Sequence, residues 1–331
     1  MKTLIGALAV STIAISSAAL ADEFKPAVVY DTAGIADKSF NQNVYEAAKK
    51  FTKDTGIKVH NQETTNQGQF DQFFHELAKK GFSPILGVGF AMADAVKKAS
   101  TDYPATKFGL IDMVVPAPNV ESIVFKEQEG SFLVGVIGAM ESKSSTLGFV
   151  GGMDIPLIRR FECGYALGAK WANPNIKVIM NFAGTDASAW SNPVKGGELA
   201  KSQMEQGADV VYAAAGATGT GVLQATADAG KFGIGVDSDQ DYLQPGHVLT
   251  SMVKHVDKAA LKVFNDAKGG TFKGGISAWG LAEGGVEPAM DKYNEKLITK
   301  EIRAKVEEAK KGIISGKIQV HDYMADNACP M

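Results

Sequence analysis

The sequence predicts an α/β protein of two doubly wound lobes, each a parallel sheet with crossover helices. Apolar runs of strand length alternate with amphipathic helical runs almost throughout, the arrangement that parallel strands need because a crossover must carry the chain back. The second half repeats the landmarks of the first about 120 to 130 residues later, a spacing too long for a solenoid and suited to two domains of one architecture. At 331 residues the chain also exceeds the usual single-domain length.

The first 21 residues stand apart. MKT supplies one positive charge, LIGALAVSTIAISSAAL an apolar core, and Ala19-Leu20-Ala21 a small-x-small cleavage site ahead of Asp22. This is an export leader, cleaved after Ala21, with no cysteine there to accept a lipid; its removal takes Lys2 away and moves the formal charge from −3 to −4. No later run approaches the roughly 18 apolar residues of a spanning helix. An exported, unlipidated chain is expected in the periplasm.

After the leader, PAVVYD reads as a strand, followed by a helix of about Ser39 to Lys53 with Val44, Ala47, Ala48 and Phe51 on one face and Gly56 closing it. SPILGVG precedes a helix around Met92 to Thr101, KFGLID is the next strand, and GSFLVGVIGAM reads as a buried helix. In the second half, TLGFVGG precedes a helix ending near GAKWA, VVYAAAG precedes ATGTGVLQATADAG, and FGIGVD ends in Asp237 as KFGLID ends in Asp112. Doubly wound sheets hold ligands beyond the carboxyl ends of their strands. Asp31, Gly89, Asp112, Gly216 and Asp237 all fall there, and lobes facing one another would bring them to one cleft, with Phe40 at the start of the first helix projecting into it.

Composition excludes several classes. With 45% hydrophobic and 21% charged residues the chain is globular. No Lys/Arg stripe accompanies the mildly negative charge, so nothing supports nucleic-acid binding. Two cysteines, Cys163 and Cys329, could pair in an oxidising compartment, but whether they approach is open from sequence. Without CxxC or a Cys/His cluster, zinc and thiol chemistry are poorly supported, and no cofactor is expected. AGATGTG fits neither phosphate-loop fingerprint; the five histidines, His60, His75, His247, His255 and His321, show no H-E-x-x-H spacing, and no G-x-S-x-G elbow accompanies them. DSDQDY opens like a calcium loop, yet Tyr242 stands where Gly is needed and Val248 where Glu is needed. Glu127 and Glu129 in KEQEGSF suit capping of the following helix better than paired acid–base work.

The segments DKSFNQ, GVGFAMADAV, FKEQEGSFLVG, GFVGGMDIPLIRRFECGY, AAAGATGTGV, GVDSDQ and LTSMVK occur in order from Asp37 to Lys254. Together they closely resemble the basic membrane protein family of ABC-transporter substrate-binding proteins, whose members include purine nucleoside receptors. The resemblance spans essentially the whole mature chain. It implies a type I periplasmic binding fold, two lobes joined by three crossing segments, expected near Ser142 to Thr146, Leu249 to His255 and Lys273 to Trp279. The first lobe is then 22–143 plus 255–275, and the second 146–250 plus 277–331.

It also implies a ligand set. Phe40 matches the aromatic residue that stacks on a nucleobase, though a contact stapling the helix entry would equally account for it from motif alone. Trp190 in GTDASAWSNP lies about where the family commonly has a Phe, a departure that bears on pocket width, and would supply the opposing ring. Asp31 and Asp112 can accept from base N–H groups, or cap and form Asx turns. Asn41 offers donor and acceptor, or caps its helix. Asp237 resembles the family aspartate that takes ribose hydroxyls, Lys254 a donor that neutralises it, and Gly216 a close backbone approach or a tight turn. The implied function is capture of a purine nucleoside for a membrane permease, not catalysis; a secreted nucleosidase, or delivery to a sensor or chemoreceptor, are the alternatives.

Overall fold

In the computed structural model, residues 24–331 are described; the leader expected over 1–21 lies outside the described residues. In chain order the elements are β1 (Ala27–Val29), α1 (Phe40–Thr55), β2 (His60–Gln62), α2 (Phe70–Lys79), β3 (Ile85–Val88), α3 (Ala93–Asp102), β4 (Phe108–Ile111) and β5 (Val120–Phe125). Then follow α4 (Glu127–Glu141), β6 (Thr146–Met153), α5 (Pro156–Ala172), β7 (Lys177–Gly184), α6 (Pro193–Glu205), β8 (Val210–Ala214), α7 (Thr218–Asp228), β9 (Phe232–Asp237) and β10 (Val248–Lys254). The chain ends with α8 (Val256–Gly269), β11 (Gly275–Trp279), β12 (Val286–Pro288) and α9 (Lys300–Ile314).

The strands form two sheets, ordered β2-β1-β3-β4-β5-β11 and β7-β6-β8-β9-β10-β12. Every pairing is parallel except β10 with β12. The inner strands β3, β4 and β8 are buried at every residue, as strands covered on both faces must be. Helix α1 buries Val44, Ala47, Ala48 and Phe51, and Gly56 closes it in the left-handed region, its N–H reaching Thr52 O. In the second lobe the rings of Phe149, Tyr165 and Tyr212 meet at centroid distances of 5.1 to 6.4 Å.

Helix α4 corrects the expected lobe boundary. It packs on α5, α9, β10 and β12, all in the second lobe. The first crossing is therefore at Lys126, between β5 and α4, instead of 142–146. The second lies at His255, since β10 belongs to the second sheet and α8 packs on α1. The third runs from Trp279 to Val286 instead of 273–279, because β11 still pairs with β5 in the first sheet. Hydrophobic periodicity identifies α4 as buried but is silent on which lobe buries it.

Glycines decide that choice. A Cβ on Gly135 would strike Tyr165 O, one on Gly164 would lie 2.5 Å from Gln128 O, and one on Gly168 would strike Phe132 O. Helices α4 and α5 thus touch backbone to backbone. Gly168→Ala is expected to destabilise the protein by roughly 1–3 kcal/mol, the usual cost of overpacking; an unchanged thermal melt would mean the helices part without loss.

Cys163, fully buried in α5, is bonded to Cys329 near the chain end, with Cα atoms 5.6 Å apart and a sequence separation of 166. Closing so long a loop restricts the unfolded chain and anchors the segment that follows α9.

Candidate functional site

A cavity lies between the lobes, with about 580 Å³ of space that includes its open mouth. From the first lobe Asp31, Asp37, Phe40, Gly89, Phe90 and Asp112 line it. The second lobe contributes Leu157, Phe161, Trp190, Gly216, Asp237 and Lys254, among others. Seven of the eight residues of the expected ligand set therefore line one cavity. Asn41 is the exception.

Asn41 is fully buried on α1. Its Nδ2 donates to Asp31 Oδ1 at 2.6 Å and to Gly34 O at 3.3 Å, so it orients the aspartate from behind. Ala33 N–H also donates to Asp31 Oδ1, at 2.9 Å. Among the described residues no hydrogen bond engages Asp31 Oδ2, which lies near Gly89 beside the Phe40 ring. Gly89 adopts φ +113° and leaves that corner open. Burial pushes the Asp31 carboxyl up to about 6.

Asp37, which sequence reasoning did not single out, accepts from the N–H groups of Ser39, Asn41 and Gln42 at 2.9 to 3.0 Å. It caps α1 and so fixes the point from which Phe40 projects.

Asp112 directly follows β4 and Asp237 ends β9, at matched places in the two halves, and both adopt left-handed backbone, with φ of 72° and 64°. Such conformations are uncommon outside glycine and gather at functional sites. Lys254, at the end of β10 and 2% exposed, places Nζ 2.7 Å from both oxygens of Asp112 and 2.8 Å from Glu127 Oε1. Its ammonium also lies 5.1 to 5.5 Å from the ring centroids of Phe125, Phe40 and Phe161. Burial works against its charge, but the carboxylates of Asp112, Glu127 and Asp237 outweigh it and raise the lysine pKa. Lys254 is thus an ion-pair bridge between lobes as well as a cavity residue.

Ser39 Oγ donates to Asp237 Oδ2 at 2.5 Å. Asn43 Nδ2 donates to the backbone oxygens of Asp237 and Lys254, while Ser238 Oγ and Gln240 Nε2 donate to Lys38 O at 2.9 and 2.8 Å. These bonds join the start of α1 in the first lobe to the end of β9 in the second. Asp237 Oδ1 has no hydrogen bond among the described residues.

Burial pushes the Asp237 carboxyl from 3.8 up to about 7, against the lowering pull of Lys254 and Ser39. A carboxyl raised in this way holds its proton in the folded state after the unfolded chain has lost it. Its contribution to stability is complete below about pH 4 and is lost as the pH rises through about 7. Asp237→Asn should therefore flatten the fall in unfolding temperature of ligand-free protein between pH 4 and 7. Identical slopes in thermal melts of variant and parent would contradict this.

Trp190 stands in a 3-10 turn, Ala187–Trp190. Thr218 Oγ1 pins it by donating to Ala189 O at 2.8 Å and accepting from Asn192 N–H at 2.7 Å. Two glycines make room. A Cβ on Gly152 would strike the indole, and one on Gly216, at φ +56°, would lie 3.2 Å from Trp190 O. Gly216 thus serves the seating of Trp190 as well as lining the cavity.

Sequence reasoning missed Phe90, Leu157 and Phe161 as wall residues, although Phe90 adjoins Gly89 in GVGFAMADAV and Phe161 lies in LIRRFECGY. It also read Glu127 as a helix cap; the carboxylate is wholly buried, ion-paired with Lys254 and hydrogen-bonded by Arg160.

Residues 24–322 of the chain match a family model described as ABC transporter substrate-binding protein PnrA-like. The chain belongs to this Bmp family. Its relatives include the ABC transporter nucleoside-binding protein BmpA of Lactococcus lactis, 34% identical over 90% of this chain and 89% of that protein. Basic membrane protein A of Borreliella afzelii is 32% identical over 80% of this chain and 87% of its own length. A solved ABC transporter system solute-binding protein from Aeropyrum pernix superposes with a TM-score of 0.84 at 28% identity, covering 90% of this chain and 93% of that one. Bmp members are extracytoplasmic substrate-binding components of ABC transporters, and the periplasmic binding fold expected of this chain is the one observed. No helix among the described residues of this Bmp protein is long and apolar enough to cross a membrane.

Proposed function

We propose that this protein captures a purine nucleoside between its lobes and delivers it to a membrane permease from the periplasm, with its leader cleaved after Ala21 and no lipid attached. The observation that carries the reading is one cavity lined by Phe40 and Trp190, from opposite lobes, together with Asp31 and Asp237, each with one carboxylate oxygen that takes no hydrogen bond among the described residues. An ionised carboxylate only accepts. Asp31 Oδ2 beside the Phe40 ring suits an N–H on the edge of a stacked base, and Asp237 suits ribose hydroxyls.

Charge supports a neutral ligand. Lys254 is already held by Asp112 and Glu127, so a phosphate would meet carboxylates with little cation to spare. The name of the Lactococcus lactis relative agrees with a nucleoside. Closure works by capture: a ligand that touches both lobes favours the closed form because only that form offers both sets of contacts. Asn41 acts by holding Asp31, Gly216 by seating Trp190.

The test is denatured extraction of purified protein with mass spectrometry of what is released. It is followed by titration calorimetry with adenosine, guanosine, inosine, a pyrimidine nucleoside and ribose. Purine nucleosides should bind best; a preference for ribose or a phosphorylated ligand would reject the reading.

A further inference from the structure

Five charges alternate in sign from the outer surface to the cavity. Asp322, in the segment after α9 and anchored by the Cys163–Cys329 bond, accepts through both oxygens from Arg160 Nε and Nη2 at 2.8 and 2.9 Å. Arg160, three residues before Cys163 on α5, donates through Nη1 to Glu127 Oε2 at 2.9 Å and to Phe125 O at 2.8 Å. Glu127 Oε1 lies 2.8 Å from Lys254 Nζ, and Lys254 pairs with Asp112 of the other lobe. Side-chain exposure falls along this line from 35% at Asp322 to 12% at Arg160 and 0% at Glu127.

We propose that Asp322 is a positioning residue for the ligand site, acting through Arg160 and Glu127 to hold Lys254 at the cavity wall. The proposal rests on the reading of that cavity as the ligand site. Glu127 is wholly buried with one cation on each oxygen, so its orientation depends on where both cations sit. A guanidinium forked onto Asp322 presents Nη1 to Glu127 in one direction only. Without that fork the guanidinium is free to turn onto Glu127 with a second N–H, drawing the carboxylate off Lys254. The ammonium then shifts toward Asp112 and Asp237, altering both the cavity wall and the ion pair that bridges the lobes. The disulfide contributes by keeping Asp322 against α5.

Two readouts on Asp322→Asn and Asp322→Glu test this, after circular dichroism has established folding. The first needs no ligand: the rate at which trinitrobenzenesulfonate modifies Lys254, mapped by peptide mass spectrometry beside exposed Lys195. Asp322→Asn should raise the Lys254 rate at least fivefold with Lys195 unchanged, and Asp322→Glu should restore most of the protection. The second is titration with inosine and adenosine, where Asp322→Asn should weaken binding about five- to tenfold and Asp322→Glu less. An unchanged Lys254 rate overturns the proposal, and so does a rise shared equally by Lys195, which marks general loosening. If the parent protein binds no nucleoside, the proposed function fails, and the Lys254 rate still decides the role of Asp322.

Discussion

Lys254→Met is expected to lower the unfolding temperature at pH 7.5 by roughly 6 to 20 °C and to abolish measurable ligand binding. Lysine removal leaves Asp112 and Glu127, 6% and 0% exposed, without the cation between them. Stranding buried partners in this way costs about 3–5 kcal/mol, and each kcal/mol is worth about 2–4 °C for chains of 150 to 250 residues. The loss should shrink at pH 5. Burial already pushes the Asp112 carboxyl up to about 6 while Lys254 pulls it down, so in the variant it protonates at still higher pH and sheds its charge as the pH falls. Calorimetry of both proteins at pH 7.5 and 5 checks this; equal unfolding temperatures at pH 7.5 would show that the cluster carries no such charge.

Phe40→Ala and Asp237→Ala should each weaken the best nucleoside more than tenfold, and for different reasons. Base stacking on an aromatic ring is worth about 1–3 kcal/mol, so Phe40→Ala should cost nucleoside and free base alike. Asp237→Ala should cost the nucleoside far more than its base, because only the nucleoside carries ribose hydroxyls. Folding is not at stake in the first, since Phe40 is only half-buried at the helix start. Unchanged affinity in both variants would reject the site, and equal losses of base and nucleoside in Asp237→Ala would reject the ribose role alone.

The candidate site was legible where its residues lie at fixed places in a βα unit. Asp31, Gly89, Asp112, Gly216 and Asp237 could be named because each follows a recognisable apolar run, and Phe40 because it opens a recognisable helix. Asn41 was placed in the ligand set because its position on α1 was visible while its direction was not; the side chain turns back to Asp31. Glu127 was passed over because a carboxylate at a helix start has an ordinary capping explanation, and nothing local reveals two cations around it.

Sequence by itself determined the two wound lobes, the strand ends at which Asp112 and Asp237 stand, and the family. The lobes and strand ends follow from backbone periodicity and neighbouring residues, which act over a few positions of chain, and the family from motifs matched in order along the sequence. Only the tertiary structure decided that α4 belongs to the second lobe, that Cys163 meets Cys329 across a separation of 166, and that Lys254 meets Asp112 across 142. Those outcomes depend on which surfaces fit once the chain is folded: glycine-lined helix faces that approach backbone to backbone, and buried charges that must find an opposite charge wherever the fold provides one.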